Sequence, residues 1–123
     1  MTQVKFYAPN NADNAEKAHN DVRKFLCEHF GGLTAYHANG EWVNGDNNVD
    51  SEGNPHVVGE PVTVFESFTD MDKGSAKGTI EHIAEKFKEL TNEDSVAYAI
   101  NHDMHFVWKV ETTPIYVTPT NPY

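Results

Sequence analysis

The stretch Gly59-Glu60-Pro61-Val62-Thr63-Val64-Phe65-Glu66-Ser67-Phe68 decides the fold. Its side chains alternate: Val62, Val64 and Glu66 point one way, Thr63, Phe65 and Ser67 the other. Apolar residues fall on both faces, so the segment reads as a central strand with both sides at least partly covered. Pro61 has no amide hydrogen to give, so pairing is expected to begin after it. Glu60 then sits at the mouth of the strand, beside Gly59, where other groups approach closely. A carboxylate on a rigid strand end is a common base for chemistry; the bland reading is a solvated glutamate.

Upstream, Val4-Lys5-Phe6-Tyr7-Ala8 reads as a first strand, stopped by Pro9. Ala15, Ala18, Val22, Phe25, Leu26 and His29 recur at steps of three and four and predict a helix, with Glu16, Asp21, Arg23 and Glu28 turned to water. Asn11 or Asp13 is placed to cap it, and Gly31-Gly32 ends it with a left-handed cap. Leu33 to His37 reads as a short strand, Asn39-Gly40 as a hairpin turn, and Glu41-Trp42-Val43 as its return arm. Residues 44–55 are rich in Asn, Asp and Gly and form a loop, after which Val57-Val58 lead into the first-quoted strand.

Downstream, residues 70–78 are polar, and Ile80, Ile83, Ala84, Phe87 and Leu90 mark the apolar face of a second helix. Val96 to Ile100 and Phe106 to Val110 form a closing strand pair around a turn at 101–105. This order predicts an α+β protein: a ferredoxin-like split βαβ sandwich, a mainly antiparallel sheet with two helices on one face. A single domain covers residues 1–110, and an extended, Pro-containing tail covers 111–123, with Ile115, Tyr116 and Val117 placed to lie along a neighbouring subunit. The uncovered face needs burying. Phe6, Phe65, Tyr98 and Trp108 are the candidates for it, which points to self-association.

A formal net charge of −10 over 123 residues argues against nucleic-acid binding, because phosphate backbones need a positive surface. It suits solubility, a cationic small molecule, or imitation of DNA. No long apolar run offers a membrane span, and no secretory signal opens the chain. The single Cys27 cannot form an internal disulfide, so a cytoplasmic setting is expected, and its helical neighbours place it in the core.

Asp46, Asn48 and Asp50 match the first ligand positions of an EF-hand, but Ser51 stands at the glycine position and Val57 at that of the bidentate Glu. His102 and His105 sit at the closing turn without two further zinc ligands, and His37 reads as a surface residue. No metal site or cofactor is expected. No phosphate loop and no nucleophile elbow occur, and Ser67 and Ser95 lack local support for a triad.

Three pieces in fixed order resemble the S-adenosylmethionine (SAM) lyases of bacteriophages, SAM-degrading enzymes formerly called hydrolases. Gly31-Gly32-Leu33-Thr34-Ala35 is similar to that family's Gly-Leu-Tyr strand start after its first helix. Glu60 before Val62-Thr63-Val64 resembles its active-site Glu before an alternating Val strand. Ile80 to Leu90 running into Asn92-Glu93-Asp94-Ser95-Val96 is similar to its second helix, acidic turn and Val strand. The resemblance spans residues 4–100 and is one of elements rather than long identities. Pro61 after the Glu and the segment 39–55 depart from the pattern. Gly40-Glu41-Trp42 fits better an uncharacterised bacterial ferredoxin-like domain family, and this puts the substrate in doubt more than the fold.

The resemblance implies a fold close to PII signalling proteins, a homotrimer with active sites between subunits, and cleavage of SAM to 5′-methylthioadenosine and homoserine lactone in the cytoplasm of a phage host. Glu60 would be the catalytic residue orienting the substrate's polar end, with Val62 beside it. Tyr36, Trp42 or Phe65 would stack on adenine. The rival readings are a PII-like module that binds a nucleotide without converting it, and an acidic DNA mimic.

Overall fold

The computed structural model describes residues 1–43, 52–54 and 57–108, with the side chains at 42, 43, 57 and 58 outside the description. The elements are β1 (Thr2–Pro9), α1 (Ala15–Phe30), β2 (Thr34–Val43), β3 (Val57–Thr69), α2 (Lys73–Thr91), β4 (Ser95–Ile100) and β5 (Asp103–Trp108). The sheet runs β2-β3-β1-β4-β5 and is antiparallel at every described pairing. The first four strands and two helices give the ferredoxin-like plan, and β5 adds an edge. The expected tail at 111–123 and the ligand-like Asp46, Asn48 and Asp50 lie outside the described residues.

Register decides which face each side chain takes. Phe6 is paired with Phe65 on one side and Tyr98 on the other, so all three point the same way. With Val4, Val22, Leu26, Ile80 and Phe87 they form the core between sheet and helices, each no more than 2% exposed. Burial of each such side chain contributes about 1.5–3 kcal/mol. Phe6, Phe65 and Tyr98 therefore do not lie on the uncovered face, as the sequence suggested. Of the four expected there, only Trp108 does, through its pairing with Ser95.

Asn39-Gly40 is not a turn. A two-residue hairpin of that composition requires positive φ, and neither residue has it. Instead β2 runs unbroken, with Asn39 opposite Pro61 and Gly40 opposite Glu60. The ten paired positions of this ladder outweigh a local turn preference. Pairing also begins before Pro61, not after it. The Pro61 carbonyl accepts from the Asn10 amide at 3.0 Å. Within a strand N and O of one residue point to the same side, so the missing hydrogen faces the place where β1 runs out, and no ladder bond is lost.

Helix α1 starts after Asn14, whose φ of 55° is left-handed. Neither Asn11 nor Asp13 caps it; the Asn14 side chain donates to the Leu90 carbonyl at 2.9 Å and ties α1 to the end of α2. Gly31, at φ 89°, ends α1 and donates to the Cys27 carbonyl. Cys27 itself is exposed, and so is His29; the buried polar residue of this helix is His19. Helix α2 starts earlier than its apolar pattern indicated, because Asp72 accepts the Ser75 amide at 2.8 Å and supplies a cap. Asn101, with φ 55°, makes a tight turn between β4 and β5, so His105 lies in β5 and stacks on Tyr98 at 5.2 Å.

Candidate functional site

Glu60 lies inside β3 and, by parity with Val62 and Val64, on the face without helices. Its cross-strand neighbour is Gly40, which has no side chain to set against it. Next along that face come Ala38 opposite Val62, then Tyr36 opposite Val64. Glu60 is half-buried, Val62 buried and Tyr36 exposed. These three share one wall.

The other expected residues part from them. Phe65 is fully buried on the opposite face, edge-on to the His19 ring at 5.7 Å and beneath the Arg23 guanidinium at 5.4 Å. Its parity with Phe6 removes it from the wall. Trp42 pairs through its backbone with Val58, and its side chain lies outside the description.

A set of hydrogen bonds fixes the chain just after Glu60. The Asn10 amide donates to Pro61, and the Thr63 hydroxyl donates to the Asn10 side-chain oxygen at 2.7 Å. His37 Nδ1 stands 3.4 Å from the same hydroxyl; because Thr63 has given its hydrogen to Asn10, the histidine nitrogen is the donor there. His19 Nε2 lies 2.9 Å from the Pro9 carbonyl, which only accepts, so His19 carries its hydrogen on that nitrogen. Helix α1, the end of β1 and the start of β3 are thereby held as one unit.

The same end of the sheet is acidic. Burial pushes the Glu60 carboxyl above its ordinary pKa. Glu93, between α2 and β4, is raised by burial first, then by the charges of Glu60, Asp94 and Asp13. Negative charge held away from water is stabilised by a cation, so this corner favours a positively charged group. Among the described residues no group of three or more His, Cys, Asp and Glu side chains is arranged to hold a metal ion.

Sequence reading missed Glu93, Asn10 and Thr63 as neighbours of Glu60. The acidic turn Asn92-Glu93-Asp94 was visible, but its closeness to Glu60 depends on β1 pairing with both β3 and β4. Two shallow grooves lie elsewhere. One, about 280 Å³, runs between α1 and α2 over Phe25, Ile83 and Leu90; the other, about 270 Å³, lies beside Gly31, Gly32 and Phe68. Neither includes Glu60. No helix among the described residues is long and apolar enough to cross a membrane.

No protein-family model matches the chain, and no curated protein matches it. Solved structures do. A phage SAM lyase in complex with S-methyl-5′-thioadenosine is similar with a TM-score of 0.63 at 12% identity, over 88% of this chain and 89% of that one. A phage SAM lyase in its apo state is similar with a TM-score of 0.58 at 14% identity, over 91% and 92%. The chain thus has the α+β, ferredoxin-like fold of these phage lyases along nearly its whole length, as the sequence resemblance implied.

Proposed function

We propose that this protein is a SAM lyase. The observation that carries the reading is Glu60: a carboxylate raised by burial, on the open face of a sheet that shares its fold with phage SAM lyases. In this reading the substrate carboxylate attacks its own γ-carbon. The carbon–sulfur bond breaks, its electron pair goes to the sulfonium sulfur, and neutral 5′-methylthioadenosine leaves. The amino-acid part closes to homoserine lactone, and no proton is transferred.

Such a step needs a folded substrate more than an external nucleophile. Well-oriented intramolecular attack can supply about 7–11 kcal/mol of the barrier. Glu60 binds the cationic end and holds that conformer, Val62 gives an apolar floor, and Tyr36 or Trp42 stacks on adenine. The homotrimer, a single domain over 1–110 with its tail, a cytoplasmic site of action and a role against methylation-dependent host defence belong to the same proposal.

The test is SAM turnover in oxygen-18 water, quenched early and resolved by chromatography. Internal attack gives unlabelled lactone before any homoserine. Labelled homoserine without lactone would show hydrolysis. Binding of adenine-containing ligands without cleavage would move the function to a nucleotide-binding module.

A further inference from the structure

We infer that the trough between α1 and the β2 edge, on the helix-covered side of the sheet, is a binding site for a phosphate group, held by Arg23 and His37. Arg23 is the sole arginine of a chain that carries 19 Asp and Glu. Among the described residues it forms an ion pair with none of them. One of its nitrogens donates to the neutral Asn20 side-chain oxygen at 2.9 Å, and the Phe65 ring lies beneath the guanidinium. The side chain is thus held by two contacts, and neither neutralises its charge.

Register brings His37 to the same place. Phe65 is paired with Ala35 and Thr63 with His37, and parity puts all four on the helix side. From Phe65, His37 is two residues along and one strand across, about 8 Å between backbones. Helix α1 leaves this strip of β2 open: Ala35, His37 and Asn39 are exposed. The groove toward α2 takes Asp21, Lys24 and Glu28, so the flank of α1 with Asn20, Arg23 and Cys27 is the one turned toward β2. That strip carries no acid near Arg23. On β2 the next one on this side is Glu41, about 13 Å beyond His37. On α1 it is Glu16, two turns before Arg23 and about 10 Å along the axis. An unneutralised guanidinium in such a strip favours an anion.

Hydrogen placement selects among anions. His37 Nδ1 donates to Thr63, so the neutral ring presents a lone pair at Nε2, which no described residue uses. Arg23 brings only donors, and its planar fork matches two oxygens of one phosphate. Hydrogen phosphate, or a phosphate monoester carrying its last proton, has oxygens for the guanidinium and a hydroxyl for Nε2. Phosphate monoesters and imidazoles hold that proton with similar strength, so it can rest on either partner without loss of a bond. Sulfate, carboxylates and the phosphodiesters of nucleic acids bring no proton at neutral pH and would satisfy Arg23 alone. The site lies on the opposite side of the sheet from Glu60 and does not rest on the SAM reading.

Calorimetric titration at neutral pH tests it, with inorganic phosphate and phenyl phosphate as probes and sulfate at equal ionic strength as the rival. Phosphate should bind saturably and about tenfold tighter than sulfate. Equal affinities for the two probes would assign the site to the free ion, and tighter binding of phenyl phosphate would assign it to a monoester; either result supports the inference. Arg23→Gln should weaken phosphate binding about ten- to a hundredfold. Lys24→Gln removes the same charge from the flank toward α2 and should bind as the wild type does. His37→Phe should still bind anions through Arg23 but lose the preference for phosphate over sulfate. All three should keep the wild-type circular dichroism spectrum. Should Arg23→Gln unfold, Arg23→Lys takes its place and should bind phosphate more weakly than the wild type, because a point charge replaces the fork. No saturable phosphate binding, sulfate held as tightly as phosphate, or equal losses in Arg23→Gln and Lys24→Gln would each overturn the inference.

Discussion

Replacing Glu60 by Gln should move stability and turnover in opposite directions. The substitution keeps the shape and removes the charge. Burial raises the folded-state pKa of Glu60, so its ionisation works against folding. That contribution to stability is fully present below the unfolded carboxylate pKa and is lost as pH rises through the raised folded value. Glu60→Gln has no such loss. It should melt higher than wild type at neutral pH, and the two should converge in acid. The charge of Glu60 also raises Glu93, so its removal relieves a second carboxylate. Turnover should fall. A hydrogen bond to a charged group contributes about 1.5–3 kcal/mol, or roughly 10- to 100-fold in rate. The assays are thermal unfolding followed by circular dichroism from acid to neutral pH, and SAM cleavage on the same samples. Wild-type turnover would take Glu60 out of the site. A lower melting temperature at neutral pH would show that its burial is not a cost, and would refute the electrostatic reasoning.

Three further outcomes are expected. SAM should bind more weakly as pH falls through the raised pKa of Glu60, because protonation removes the charge that holds the cation; KM measured against pH checks this, and a flat profile counts against it. Tyr98→Phe removes a 2.6 Å bond from the buried phenol to Glu81, which Lys77 continues to hold at 3.0 Å. Glu81 is partly in water, so the loss should be about 1.5 kcal/mol, near 6 °C in Tm for a chain of this length, and it should shrink as acid titrates Glu81 through its depressed pKa. Thr63→Val should cost about 1–2 kcal/mol by leaving Asn10 without its donor; an unchanged Tm in denaturation would show that the link between β1 and β3 does not depend on that hydroxyl.

The fold was legible because apolar spacing and Gly31 reported elements whose local and long-range preferences agree. Ile80, Ile83, Ala84 and Phe87 face the core as their steps of three and four require. The errors came where pairing overrode local chemistry. Asn39-Gly40 has the composition of a turn, yet both residues are extended because β3 offers them partners. Phe65 looked available for a ligand because strand alternation separates two faces without saying which one the helices cover. Glu60 could be singled out from its strand. Its companions could not: Asn10 and Glu93 lie far from it in the chain and meet it only through β1.

The central position of β1 also governs how the protein is made. Val4 leaves the ribosome well before its partners, Ser67 and Ile100. Helix α1 can form from local contacts while synthesis continues; the middle of the sheet cannot. Pairings over such separations carry loop-closure entropy and fold slowly. The nascent chain must therefore carry Phe6 unburied until β3 and then β4 emerge, and the core closes only after β4 has followed. In a cell, this is the interval in which a holdase chaperone would bind it, and the β1 segment is where it would bind.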